Sequence, residues 1–174
     1  GEIMAYSESK SAAIVQGDRL ENIVKDNPNV TALSPFVSFT GLIENGSQLK
    51  IAQVRGIDPT KQEQVSRLTQ FIPQAQWQAF KQEGGLILGA GIARSLDINV
   101  GDEVTLLLPQ PTDDGKLAQP LRFSLTVTGI LRLDGQLDHS YALLPIAKAQ
   151  ELLELKPSQY TGIELAVKQQ VQLR

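Results

Sequence analysis

Asn45-Gly46 constrains this chain more than any other pair of residues, because of what flanks it. Val30 to Ile43 is extended and rich in β-branched and aromatic residues, and Leu49 to Ile57 returns as a second such run. Asn-Gly accepts the positive φ angles of a tight hairpin turn, so the two runs predict one long antiparallel hairpin. In its second arm the apolar phase slips: Leu49 and Ile51 lie on one face, Ala52 and Val54 on the other. That slip predicts a bulge or a change of face.

Around the hairpin, helical and extended patterns mix. Asp18 and Glu21 read as a capping box for a helix with Leu20, Ile23 and Val24 on one face, ended by Asn27-Pro28. Asp58-Pro59 breaks the second arm, and Val65, Leu68 and Ile72 then recur at helical spacing. Pro73 opens a further helix bearing Trp77 and Phe80, and Gly84-Gly85 stops it. Leu86–Leu88 is a short strand, Ile92–Leu96 a helix of about two turns, Gly101-Asp102 a turn, and Glu103–Leu108 a strand. Pro109 to Pro120 reads as a polar loop. From Arg122 to Leu133 the alternation is clean, with Phe123, Leu125, Val127, Gly129, Leu131 and Leu133 on one face. Tyr141–Leu144 is a strand, Pro145 starts a helix with Ile146, Ala149, Leu152 and Leu153 on its face, and Ile163, Leu165 and Val167 alternate in a last strand. The elements do not form a strictly alternating βαβ series, so the fold class is α+β.

At 174 residues the chain suits one domain or two small subdomains with a shared core. Hydrophobic residues make up 41% and charged residues 20%, an ordinary globular balance that argues against disorder. The net charge is −3, and Lys and Arg are scattered without a run, which excludes nucleic acid as a natural partner. With no Cys there are no disulfides, thiolate metal sites or Cys nucleophiles. The apolar runs fall far below the ~20 residues that span a bilayer, and no signal-peptide pattern is visible. The opening Gly1-Glu2 is consistent with a piece of a longer protein.

Candidates for chemistry are few. Gly89 and Gly91 follow a strand and open a helix, as in a nucleotide cradle, but a dinucleotide fingerprint needs a third small residue where Arg94 stands. The better reading is a sharp turn with close backbone approach. A small nucleotide-dependent enzyme built on Gly89–Arg94 is the competing one. His139 is the only histidine; Asp134 and Asp138 beside it are too few for a metal site, and Ser140 lacks the elbow motif of a nucleophile. Asp113-Asp114-Gly115 lacks the spacing of a calcium loop and reads as a solvated tip. No catalytic, cofactor-binding or metal residue is therefore assigned, and no cofactor is expected.

Three stretches carry a resemblance. "PFVSFTGLIENGSQLKIAQVRGIDP" (Pro35–Pro59) and "GILRLDGQLDHSYALLPIAKAQELL" (Gly129–Leu153) resemble the periplasmic domain of lipoprotein-releasing ABC transporter permeases, the LolC/LolE family with its MacB-like periplasmic core domain. Between them, "LILGAGIARSLDINVGDEVTLLLP" (Leu86–Pro109) looks like that family's strand, short helix and Gly-Asp turn into a strand. The last pattern is similar in efflux and FtsX-like cell-division permeases, which supply the alternative assignment. The order and spacing of all three stretches is more specific, and "FTGLIENG" with "GQLDHSYALLP" is most similar to LolE-type subunits.

The resemblance implies the ectodomain of an inner-membrane permease, standing in the periplasm between the first two of four transmembrane helices. It implies a LolC-type sister permease, a LolD-type ATPase reached through the membrane part, and outer-membrane lipoproteins as cargo. The cargo passes to a LolA-type carrier, and the domain performs no chemistry of its own. It further implies two lobes: a terminal, porter-like α/β lobe from residues 1–57 and 140–174, and an inserted, sabre-like mixed lobe from 58–139. The candidate partner-binding residues are Leu42 and Ile43 on the hairpin and Asp113, Asp114 and Lys116 in the Pro109–Pro120 loop. In LolC-type subunits a long hairpin loop of the inserted lobe captures the carrier. Here that loop is short, polar and acidic, with little apolar area to bury against a partner. The family also adds a helix and a strand beyond the segment matching Ile163–Val167, so the terminal lobe is expected to be incomplete here.

Overall fold

The computed structural model describes residues 3–7, 15–16, 22, 26–111, 114–115 and 117–168. In chain order its elements are β1 (Ile3–Ser7), β2 (Val15–Gln16), β3 (Val30–Asn45), β4 (Gln48–Ile57), α1 (Pro59–Val65), α2 (Gln74–Glu83), β5 (Leu86–Gly89) and α3 (Ala90–Ser95). There follow β6 (Glu103–Pro111), β7 (Leu117–Leu131), β8 (Tyr141–Pro145), α4 (Ile146–Leu152), β9 (Gln159–Tyr160) and β10 (Gly162–Val167), with 3-10 turns at Leu68–Phe71 and Gln136–His139. This is the mixed α+β content that the sequence predicts. The helix expected from Asp18 lies mostly outside the described residues.

The chain divides into two compact units. One comprises residues 1–38, 56–69 and 145–174; the other comprises 39–55 and 70–144. These cuts differ from the lobes that the resemblance implies. The tip of the β3–β4 hairpin, residues 39–55, groups with the middle of the chain, whereas 58–69 groups with the chain ends.

In the first unit β10 lies between β1 and β3, antiparallel to both. Helix α1 packs on β10. The sequence spacing places a helix over Val65–Ile72, yet the helix starts earlier and stops at Val65. Asp58 is the reason: its carboxylate accepts the Lys61 N–H at 3.1 Å, and Pro59 follows it at a first-turn position where no N–H is missed. Ser66 then turns extended and its hydroxyl accepts the Leu68 N–H at 3.0 Å, which ends the run. The face of α1 carries a buried polar chain. Ser34 Oγ donates to Gln62 Oε1 at 3.3 Å, and Gln62 Nε2 donates to Glu164 Oε1 at 3.3 Å. Gly56 lets α4 approach: a Cβ there would lie 2.4 Å from that of Ala149.

In the second unit the strand order is β3-β4-β8-β5-β7-β6, and β6 returns to pair with β3. Leu42 faces Leu107, Ile43 faces Leu106, and Glu44 faces Thr105. A sheet that returns to its first strand is a closed barrel and leaves no free edge. Strand β5 is parallel to β7 and antiparallel to β8. Ile43, Val54, Leu86, Leu106, Leu131 and Leu143 form the core of this unit, each at most 1% exposed. Helix α2 runs from Pro73 to a left-handed Gly84, as the sequence predicts, and packs against β7 with Trp77 and Phe80 buried and their rings stacked at 5.5 Å.

Three local expectations change. Strand β4 alternates without a slip: Ala52, Val54 and Gly56 are buried, while Leu49 and Ile51 are exposed. Pro109–Pro120 is largely strand rather than loop. The β6–β7 ladder continues past a register shift between Leu108 and Gln110 to pair Gln110 with Ala118 and Pro111 with Leu117. A shifted register tolerates Pro109, which has no N–H to donate. In β7 the alternation holds only to Val127. A register shift follows, and Thr128 turns into cover, its hydroxyl donating to the Gly84 carbonyl at 2.9 Å.

Candidate functional site

Gly89 ends β5 and caps α3 with an ordinary φ of −58°. It is glycine for space. A Cβ at Gly89 would lie 2.4 Å from the Asp138 carbonyl oxygen, and a Cβ at Gly91 would lie 2.3 Å from His139 Nδ1. The turn Gln136–His139 therefore occupies the concavity in which a phosphate would sit, and the glycine motif serves close packing. Asp138 holds that turn down. Its buried carboxylate accepts the Leu133 N–H at 2.6 Å and the Asp134 N–H at 3.0 Å. His139 is exposed on the same turn, and among the described residues no three His, Asp or Glu side chains gather as a metal ion requires.

Exposed apolar side chains gather on the outer wall of the barrel. Directly opposed residues of antiparallel strands point to the same side of the sheet. Leu42, Leu107 and Arg122 are opposed in turn across β3, β6 and β7. The two-residue turn Gly46-Ser47 adds Ile51 of β4 across from Leu42. The bond from Thr40 Oγ1 to Gln53 Oε1, at 3.2 Å, fits that register. The result is an aliphatic row, Ile51–Leu42–Leu107, on the outer face. Ile51 is 62% exposed and Leu49 beside it 49%, whereas Leu107 is covered. Arg122 closes the row and pairs with Glu44. Ser124 donates to Glu103 at 2.9 Å further along the same face.

The sequence candidates separate on this wall. Leu42 stands on the outer face and is half-buried. Ile43 points the other way and is fully buried against the β6 partner Leu106, so its side chain is not available to a partner. Asp114 is exposed at the β6–β7 tip, while Asp113 and Lys116 lie outside the described residues. Leu49 and Ile51, the most exposed members of the wall, carry a sequence signal that reads as a phase slip in β4 but marks its outer face. Apolar residues out of step with the core face of a strand are either misregistered or meant to be seen.

A family model described as the MacB-like periplasmic core domain matches residues 3–174. The chain is 48% identical over 164 residues to the lipoprotein-releasing system transmembrane protein LolE of Haemophilus influenzae, covering 94% of this chain and 39% of that protein. It is 27% identical over 138 residues to the lipoprotein-releasing system transmembrane protein LolC of Neisseria meningitidis serogroup B, covering 78% of this chain and 33% of that one. The chain thus spans between a third and two fifths of these relatives. Among solved structures, the extracellular domain of the transporter YknZ from Gram-positive bacteria aligns with a TM-score of 0.62 at 12% identity, over 97% of this chain and 84% of that one. The periplasmic region of MacB from Actinobacillus actinomycetemcomitans aligns with a TM-score of 0.56 at 12% identity, over 98% and 76%. At that identity the two structures speak to the fold alone. Among the described residues no helix is long and apolar enough to cross a membrane.

Proposed function

The chain belongs to the family of MacB-like periplasmic core domains, and from that membership we propose that it is the periplasmic domain of a LolE-type permease subunit in a lipoprotein-releasing ABC transporter. The observation that carries the reading is the 48% identity to a LolE protein over 164 residues, set against 27% to a LolC protein. In this reading the domain stands on the periplasmic face of the inner membrane beside a LolC-type sister, above a LolD-type ATPase. It takes part in withdrawing triacylated lipoproteins for a LolA-type carrier, and it binds and transmits motion without a reaction of its own. The two compact units correspond to the terminal and inserted lobes only in part, because 39–55 groups with the middle of the chain and 58–69 with its ends. The outer barrel wall, with Leu42, Leu49 and Ile51, is its contact surface, and the β6–β7 tip with Asp113, Asp114 and Lys116 is a second one.

The aliphatic row supports a contact role because exposed neighbouring apolar side chains gain free energy only when something covers them. The test uses the full-length permease in cells, with a photoreactive amino acid placed singly at Leu42, Leu49, Ile51 or Ile43. The three wall positions are expected to give adducts with the sister permease or with a lipoprotein. Position 43, which faces the core, should give none. If the three wall positions yield neither partner while the transporter remains active, the contact role fails. If replacing the periplasmic part of a LolE-type subunit by this chain abolishes lipoprotein release in a normally assembled complex, the assignment itself fails.

A further inference from the structure

Arg94 is exposed near the C-terminal end of α3, and Arg132 is exposed just beyond β7. Both line one cavity of about 350 Å³, together with Gln76 of α2, Asn99 and Asp97. Neither guanidinium has an ion pair among the described residues. The main chain fixes their mounts. The Arg132 N–H is bonded to the Phe71 carbonyl at 3.0 Å, and the Arg94 carbonyl accepts the Asp97 N–H at 3.3 Å. Gln76 Oε1 accepts the Ile130 N–H at 2.9 Å, and its amide N–H₂ adds two donors to this lining residue. Asp97 is the one carboxylate among the lining residues, facing two cations, so the cavity is donor-rich and carries a local positive charge. Arg94 also lines a neighbouring cavity of about 360 Å³, but Asp134 and Asp138 line that one with Gly135, Gln136 and His139, so its carboxylates disfavour an anion there.

We propose that this first cavity binds an acidic peptide segment, with an Asp or Glu carboxylate held between Arg94 and Arg132. A guanidinium is a planar fork of donors that is charged at every physiological pH, and a carboxylate matches it with two acceptors. Two such forks in one concavity repel each other until an anion sits between them, and the concave wall concentrates their field. The amide-bearing floor suits peptide carbonyls better than a lipid headgroup, which would need a lysine-rich surface with apolar anchors. Net charge does not explain such binding, because the whole chain carries −3. The site is separate from the aliphatic wall, and its existence does not depend on the proposed function.

The experiment titrates the 174-residue chain with hexaglutamate and hexalysine, followed by NMR on arginine side-chain and backbone signals. Hexaglutamate is expected to shift signals of Arg94, Arg132 and Asn99, and hexalysine to shift none. Arg94→Gln and Arg132→Gln should each weaken the peptide by about fivefold or more, the loss expected for one charged hydrogen-bonded contact. Lys61→Gln, at an exposed position of α1, should leave it unchanged. Circular dichroism of the variants establishes that they remain folded. The proposal is overturned if hexaglutamate shifts nothing, if the arginine variants bind as well as the parent, or if only phosphatidylglycerol–phosphatidylethanolamine vesicles bind in an Arg94-dependent way.

Discussion

Gly89 and Gly91 look alike in the sequence but are held glycine by different neighbours, and that difference can be measured. The obstacle to a Cβ at Gly89 is the main chain of Asp138, at 2.4 Å, and Asp138 is itself pinned by two N–H bonds to its carboxylate. Nothing there moves without undoing the turn. The obstacle at Gly91 is the imidazole of His139, on an exposed residue that can swing into solvent. Gly91 also lies within α3, where alanine favours the helix by about 1 kcal/mol over glycine. Gly89→Ala is therefore expected to destabilise the chain by about 3 kcal/mol, at the upper end of overpacking costs, and Gly91→Ala by about 1 kcal/mol. Adding His139→Ala should recover the second loss and leave the first untouched. Urea denaturation of the four variants and the parent reads all of this. Equal losses at both glycines, or a rescue of Gly89→Ala by His139→Ala, would remove close packing as the explanation of the motif.

The β3–β4 hairpin shows which parts of an element are written locally. Its turn was legible in place but not in register: Gly46 adopts a φ of +62°, yet Asn45 stays in β3 and the turn residues are Gly46-Ser47. What the arms do was not legible. Closure of the barrel depends on β3 meeting β6, Leu42 with Leu107 and Ile43 with Leu106, and no short-range signal encodes a pairing between residues so distant in the chain. Leu49 and Ile51 were misread for a physical reason: an apolar residue in a strand usually marks the core, so two on the outer face resemble a slip. Asp58 was misread because one residue both ends a strand and caps the next helix, and only the second role moves the helix start. The same register divides the partner candidates, keeping Leu42 on the surface and withdrawing Ile43. Ile43→Ala should thus lower stability by about 3 kcal/mol, as for other large-to-small changes in a packed core. Ile51→Ala, one strand away and mostly exposed, should change it by less than about 0.5 kcal/mol. The two urea midpoints decide the register; comparable losses at both positions would mean that the outer face is not the outer face.

Neither compact unit is a continuous stretch of chain. The polypeptide passes between them after residues 38, 55, 69 and 144, so the barrel takes β3 and β4 from one part of the sequence and its other strands from another. This arrangement makes a firm prediction about dissection. A fragment of residues 70–144 retains most of β5–β8 but lacks the two strands that lie between β6 and β8 in the closed order. Its β6 would lose the partner of Thr105, Leu106 and Leu107, and its β8 would lose β4, leaving two unpaired edges beside an uncovered core. Open edges with exposed apolar side chains pair with other copies, so this fragment should aggregate or unfold without a cooperative transition. Joining residues 39–55 to 70–144 through a flexible glycine–serine linker of about fifteen residues restores every strand of the barrel while omitting 56–69, which belongs to the other unit. That relinked chain should be monomeric on size exclusion and unfold in one sharp step in urea. Were residues 70–144 alone to do the same, the hairpin would be an ornament on a barrel complete without it. The exposed Leu49 and Ile51 that it carries would then have no part in closing the barrel.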